Sequence, residues 1–279
     1  MESAEKVMTK KVITCSPTDT LLQVQLLMVK NNISRVVIVD GNNKPVGIIT
    51  RRDLIDFLVA DKSKRGIEVI KAEEVMTKKL ITAKRKTPIS NIAETMVKKD
   101  ISSVIIVDNE GKLDGIVTKT DITAWYGAMK GAYKVQEIMT AKLVTVKPSQ
   151  SVFLVASLMA EHAISRVVVV ADKENKPAGI ITVADMTMMS RLLKPAKVLK
   201  EEKPLVVKSA IALPKNVHLL TARDIMTPDP ITVSKSANLA DAAELMIKHK
   251  FSGLPVTDKG KLVGIITKSD ITRAVAHEK

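Results

Sequence analysis

The sequence predicts an α/β (α+β) chain of four β-α-β-β-α repeats, associated as two pairs that each have approximate twofold symmetry. Three observations predict it. The stretch GIITRRD, Gly47 to Asp53, recurs as GIVTKTD from Gly115 to Asp121, GIITVAD from Gly179 to Asp185 and GIITKSD from Gly264 to Asp270. A Met-Thr dipeptide opens each copy, in VMTKKVITCSP from Val7, VMTKKLITAKRKTP from Val75, IMTAKLVTVKP from Ile138 and IMTPDPITVSK from Ile225. The distance from that methionine to the closing aspartate is nearly constant: 45 residues from Met8 to Asp53 and from Met76 to Asp121, 46 from Met139 to Asp185, and 44 from Met226 to Asp270. Such a fixed length marks one unit used repeatedly.

Within a copy the apolar period changes in a set order. A short run such as VITC follows the Met-Thr and gives the first strand. A helix comes next, clearest in the second copy, where Ile89, Ile92, Ala93 and Met96 fall at helical spacing. Thr87-Pro88 is expected to cap it and to place proline in its first turn. A β-branched run, RVVIVD, SVIIVD, RVVVVA or GLPVTD, supplies the second strand, a turn of Gly, Asn, Lys and Pro follows, and the GIIT-type run is the third strand. The closing helix starts at sequences such as DLIDFLVA. The turns GNNKPVG and NEGKLDG join two strands and are hairpin chemistry, not a phosphate loop.

A unit of about 60 residues buries only about 60% of its unfolded surface. Adjacent copies are therefore expected to pair over a shared core, with a cleft between the halves, where small ligands tend to bind. The boundaries expected are repeats at 1–65, 66–132, 133–192 and 221–279, with a lysine- and proline-containing linker at 193–220. In that linker Pro195, Pro204 and Pro214 exclude one unbroken helix. A short helix with an extra strand, or a partner-binding surface, fits its composition.

The net charge of +14 implies attraction for anions, whether nucleotides, nucleic acid or an acidic partner. With aromatic residues at 2%, a stacking platform for single-stranded nucleic acid lacks its parts. Cys15 is the single cysteine and reads as apolar filler; His162, His218, His249 and His277 lie far apart, and no metal site is expected. There is no apolar run long enough to cross a membrane, and MESAEKVMTKK has no apolar segment behind its charges, so neither span nor secretory signal is expected and the cytoplasm is the expected location.

The recurring Thr-x-x-Asp admits two readings. At a helix start it is a capping-box arrangement, although aspartate is a methylene shorter than the usual glutamate. A carboxylate is also the natural acceptor for ribose hydroxyls, and a helix N-terminus with a nearby hydroxyl suits phosphate. A second feature lies outside capping. ISRVVIVD and ISRVVVVA place Arg35 and Arg166 at the mouth of an apolar strand, where the second and fourth copies have Ser103 and Gly253. Arginine can clamp a phosphate with two donors. The second and fourth copies also carry Thr120 and Ser269 before the aspartate, where the others have Arg52 and Ala184, so the sites are not expected to be equal.

The order of elements, the Met-Thr opening and the G-[IV]-[IV]-T-x-x-D motif in all four copies resemble the CBS domain in its tandem Bateman arrangement. Four copies without an attached catalytic domain are similar to stand-alone archaeal-type four-CBS proteins and to the γ subunit of AMP-activated protein kinase. The resemblance implies two Bateman modules forming a disc that binds AMP, ADP, ATP or S-adenosylmethionine and alters a partner's activity. It implies no chemistry on the ligand and no required cofactor. Asp53, Asp121, Asp185 and Asp270 would hold ribose, and Thr50, Thr118, Thr182 and Thr267 would lie beside ribose or phosphate. The resemblance further implies that Arg35 complements Asp121 and Arg166 complements Asp270, with Thr120 and Ser269 alongside.

The expected function is a non-catalytic adenine-nucleotide sensor acting on an unidentified regulated protein or enzyme, a homodimer being one arrangement it could adopt. The rival is a basic nucleic-acid-associated regulator, motivated by the charge and by the lysines around residues 194 to 215. No helix-turn-helix, zinc finger or basic zipper is legible, so such binding would be phosphate-driven and salt-sensitive. An enzyme lacks a nucleophile, histidine and acid at a recognisable spacing.

Overall fold

The structure, a computed structural model, describes residues 2–60, 65–171, 175–186, 205–207, 211–213 and 220–277. It divides into two units, Met1–Met129 with Ile271–Lys279, and Lys130–Asp270. The proline-rich linker lies largely outside the described residues.

In the first unit the opening repeat contains α1 (Ala4–Val7), β1 (Thr14–Cys15), α2 (Leu21–Lys30), β2 (Arg35–Val39), β3 (Pro45–Thr50) and α3 (Arg51–Ala60). Its partner contains α4 (Ala72–Val75), β4 (Thr82–Ala83), α5 (Ile89–Lys98), β5 (Ser103–Val107), β6 (Leu113–Thr118) and α6 (Lys119–Ala128). Each forms a three-stranded sheet, β1-β2-β3 and β4-β5-β6, with the first pair of strands parallel and the second antiparallel.

The second unit repeats the plan with α7 (Val135–Ile138), β7 (Thr145–Val146), α8 (Val152–Glu161), β8 (Arg166–Val170) and β9 (Pro177–Thr182), followed by helical residues 183–186. Leu205–Val207 (β10) and Ile211–Leu213 (β11) pair as an antiparallel ribbon, so the linker contains two strands. The fourth repeat supplies α9 (Ala222–Ile225), β12 (Thr227–Pro228), β13 (Val233–Ser234), α10 (Leu239–Lys248), β14 (Gly253–Asp258), β15 (Lys261–Thr267) and α11 (Lys268–His277). The predicted strand, helix, strand, strand, helix order is present in all four copies, each preceded by a one-turn helix that apolar periodicity does not register.

One local expectation needs correction. Pro88 sits at the N-cap of α5, before rather than within its first turn, and makes no side-chain cap bond. Thr87 Oγ1 instead accepts the Lys84 N–H at 3.1 Å and closes the preceding turn. Burial of Ile89, Ile92, Ala93 and Met96 holds the helix without a hydroxyl cap.

The Met-Thr segments explain the pairing. Each crosses to the partner repeat and adds to the free edge of its GIIT-type strand. Thr9 N–H donates to the Ile116 carbonyl at 2.9 Å and Ile116 N–H returns a bond to Thr9 at 3.1 Å; Thr77 and Ile48 exchange the reciprocal pair at 2.9 and 3.2 Å. In the second unit Thr140 bridges Ile265 in the same way, and β12 runs antiparallel to β9. The methionine side chains then lie over the motif glycines. A Cβ on Gly115 would stand 2.8 Å from Met8 Sδ, and one on Gly264 2.6 Å from Met139 Sδ; Gly47 and Gly179 are covered as closely by Met76 and Met226. The two sequence marks of the repeat are thus the two halves of one contact, made between copies.

The core follows from this crossing. In the first repeat Leu21, Val24, Met28, Val36 and Ile49 cluster with Ile70 and Ala72, which belong to the partner's opening segment. Val37 faces the other way and packs with Ile105, Val107 and Ile116 of the partner. Both faces of β2 are therefore covered, which is why its sequence is a continuous apolar run and not an alternating one.

Cys15 belongs to the same core at 7% exposure. Burial, with the nearby Asp19 charge adding to it, pushes its thiol up to about 12. A thiol that stays protonated is a poor nucleophile. A disulfide reagent at about pH 8 is expected to leave the native protein unmodified and to react after denaturation; rapid modification of the native chain would contradict this placement.

Candidate functional site

The Thr-x-x-Asp motif folds as a cap in every copy. Asp121 Oδ2 accepts both the Thr118 N–H at 2.7 Å and the Thr118 Oγ1–H at 2.6 Å, and the Asp121 N–H returns to Thr118 Oγ1 at 3.4 Å. Thr50 with Asp53 and Thr267 with Asp270 make the same three bonds, and Thr182 gives Asp185 the first two. The missing methylene is no obstacle, because the extended backbone of Thr118, φ −120° and ψ 165°, brings its N–H to the carboxylate. The short side chain therefore does not count against capping.

Capping uses Oδ2 alone, and the environment of the whole group is what separates the copies. Asp121 is half-buried, and desolvation raises its pKa above the ordinary carboxylate value, against the opposing effects of Thr118 and Arg35. Arg35, half-buried at the start of β2, has its proton affinity lowered by desolvation, an effect that the Asp121 charge only partly offsets. Its guanidinium donates to Ser102 Oγ at 3.1 Å and Ser34 Oγ at 3.2 Å. It is thus held at the partner repeat and is not a solvated strand end. The structure places Arg35 and Asp121 within each other's electrostatic reach across the two repeats.

The second unit contains the counterpart. Arg166, at the start of β8, is likewise half-buried, with its proton affinity lowered by desolvation and supported by the charge of Asp270. Asp270 is 3% exposed, and its Oδ1 accepts a long 3.4 Å bond from Thr140 Oγ1. Arg166, Thr267, Ser269 and Asp270 line one cleft of about 250 Å³ between the third and fourth repeats. Thr140, Lys142, Val144 and Ile164 line it too and were not anticipated. The signal for Thr140 and Lys142 was the Met-Thr segment itself, which reaches this cleft by crossing to the partner sheet.

Asp53 and Asp185, with Thr50 and Thr182, occupy the symmetry-related helix starts. The strand-start residue that corresponds to the arginine for these two is Ser103 or Gly253, so they have no arginine at that position. The four motifs therefore divide into two with an arginine from the partner repeat and two without.

Chemically, the second-unit cleft offers a carboxylate and a guanidinium within electrostatic reach of each other, hydroxyls at a helix N-terminus, and aliphatic walls from residues such as Val144 and Ile164. That set suits an anionic group linked to a polyhydroxyl and a flat apolar body. Among the described residues no group of three or more His, Cys, Asp or Glu is placed to hold a metal ion, and no helix is long and apolar enough to cross a membrane.

Comparison with known proteins gives a consistent result. The chain is 29% identical over 281 residues to protein MJ1225 of Methanocaldococcus jannaschii, covering 96% of each. The crystal structure of that protein, described as a proposed archaeal homolog of g-AMPK, matches with a TM-score of 0.74 at 26% identity over 98% of this chain and 99% of that one. An uncharacterised conserved protein from Pyrococcus horikoshii has the same fold, with a TM-score of 0.69 at 19% identity over 98% of this chain. The inosine-5'-monophosphate dehydrogenase of M. jannaschii is 37% identical over 122 residues, a match that takes in only 23% of the enzyme. The CBS domain model matches residues 4–60, 72–127, 135–189 and 222–277. With four matched repeats, paired sheets and a relative that aligns end to end, the chain belongs to the CBS-domain family.

Proposed function

We propose that this protein is a non-catalytic regulatory sensor that binds an adenine nucleotide in the clefts between paired CBS repeats and modulates a partner protein. The observation that carries the reading is the second-unit cleft, in which Arg166 of the third repeat meets Thr267, Ser269 and Asp270 of the fourth. In it, Asp270 receives ribose hydroxyls, Arg166 receives phosphate, and Val144 and Ile164 bracket the base. Arg35, Thr118, Thr120 and Asp121 do the same work in the first unit. Thr50 with Asp53 and Thr182 with Asp185, without an arginine, offer ribose contacts but a weaker hold on phosphate. The description of MJ1225 as a proposed archaeal homolog of g-AMPK supports the same class. Regulation requires that the ligand bind two arrangements of the protein unequally.

Titration with AMP, ATP, S-adenosylmethionine and duplex DNA at two salt concentrations tests the reading. Saturable binding of an adenine ligand with modest salt dependence is expected, along with an adenine compound released on denaturation and identified by mass spectrometry. Binding of DNA alone, falling steeply with salt as phosphate-driven association does, would instead make the protein a nucleic-acid-associated regulator.

A further inference from the structure

The two arginines that serve the charged clefts are not held alike, and the difference lies one residue away. Arg166 Nη1 donates to the Ser252 carbonyl at 2.6 Å, and Nη2 to Ser252 Oγ at 2.9 Å and Ser165 Oγ at 3.4 Å. Arg35 donates only to hydroxyls, Ser102 Oγ and Ser34 Oγ. The residue after Ser252 is Gly253; the residue after Ser102 is Ser103. A Cβ on Gly253 would collide with Arg166 Nη1, and it would stand 3.0 Å from the Ile266 carbonyl. The missing side chain is what lets the guanidinium descend to the Ser252 backbone. At the first unit the Cβ of Ser103 occupies the corresponding space.

That seat competes with phosphate. A guanidinium has five N–H donors, and a phosphate clamp needs two neighbouring ones. On Arg166, one Nη1 hydrogen and both Nη2 hydrogens are engaged, and Nε is buried with no acceptor. No adjacent pair is left to face the cleft. Phosphate can be clamped only by drawing Arg166 off the Ser252 carbonyl, and a hydrogen bond to a charged group is the more costly kind to give up.

We propose that Gly253 is a positioning residue that weakens the phosphate preference of the second-unit cleft by seating Arg166 on the Ser252 backbone. Ser103, by denying Arg35 the equivalent seat, leaves the first-unit cleft the stronger phosphate site. The inference rests on the nucleotide reading for its ligand but not for its geometry, and the test separates the two.

The ligand-independent arm uses phenylglyoxal, which modifies guanidinium groups, with peptide mass spectrometry of the full chain. Arg166 is expected to react more slowly than Arg35, and Gly253→Ser to bring it to the Arg35 rate. Ser103→Gly should slow Arg35, and this variant serves equally if Gly253→Ser does not fold. In the binding arm, AMP and adenosine are titrated into Gly253→Ser in an Asp121→Ala background, which silences the first-unit cleft. The ratio of AMP to adenosine affinity is expected to rise about tenfold, the order of one charge-assisted hydrogen bond. Equal phenylglyoxal rates for the two arginines, or an affinity ratio that falls or stays constant, would overturn the proposal. A wild-type chain that binds neither AMP nor adenosine would defeat the nucleotide reading, while the modification rates would still decide the seat.

Discussion

Asp121→Asn is expected to weaken AMP binding at the Arg35 cleft by about ten- to a hundred-fold, the range for hydrogen bonds to a charged group, without lowering the thermal stability of the chain. Asparagine keeps an oxygen for the Thr118 N–H, so most of the cap survives, while the negative charge that faces ribose and Arg35 is lost. The pH dependence separates this from a structural role. Burial raises the folded-state value of Asp121 above its ordinary 3.8, so between those two values the folded chain binds the proton that the unfolded chain has released. Stability from this group therefore declines as pH rises through that window, and the ionised carboxylate is a net cost above it. Relative to wild type, Asp121→Asn should be equal or more stable at neutral pH, with the difference shrinking on acidification. Thermal melts at several pH values together with AMP calorimetry make the check. A variant with lower stability and full affinity would show that Asp121 is a cap and nothing more.

Gly47→Ala should destabilise the first unit by about 1–3 kcal/mol, the usual cost of overpacking a filled site, or a fall in melting temperature of about 3–10 °C for a body of this size. The added methyl would lie 2.9 Å from Met76 Cβ and 2.7 Å from its Cγ. The upper part of the range is expected, because Cβ is bonded directly to backbone, and that backbone is pinned by the adjacent Thr77–Ile48 bridge. Gly41→Ala is the control, since an added Cβ there meets nothing within 4 Å. Differential scanning calorimetry of the two variants decides it: equal melting temperatures would mean that the methionine cover is dispensable.

Much of the fold could be read from the residues because local patterns repeat. Ile89, Ile92, Ala93 and Met96 announce a helix by spacing, RVVIV announces a doubly covered strand, and four matching lengths announce the unit. What could not be read is which copy receives each segment. Met8 and Gly47 belong to one repeat in the chain, yet Met8 covers Gly115 and Gly47 is covered by Met76. Periodicity describes a segment against itself and has no view of the edge on which it will lie. The candidate site divides along the same line. The Thr-x-x-Asp bonds are local and were legible in outline, including the capping that competes with a ligand role. The Arg35–Asp121 and Arg166–Asp270 pairings came from family resemblance, and Thr140 and Lys142 depend on the crossing. The Ser252 carbonyl seat depends on an absent side chain at Gly253, directly across the strand pair from the motif's Thr267, and a missing side chain leaves no pattern to read.

The crossing also fixes the smallest piece of this chain that can stand by itself. A single repeat cut from its neighbour would present the outer edge of its GIIT-type strand with bare N–H and C=O groups and an uncovered glycine, while carrying a loose Met-Thr arm of the kind that edge requires. An edge of that sort recruits another strand. Because every repeat both lacks and provides the same piece, two identical copies can complete each other by exchanging arms. An isolated repeat is therefore a monomer by neither sequence nor geometry, and a gene fragment encoding one should yield a symmetric dimer.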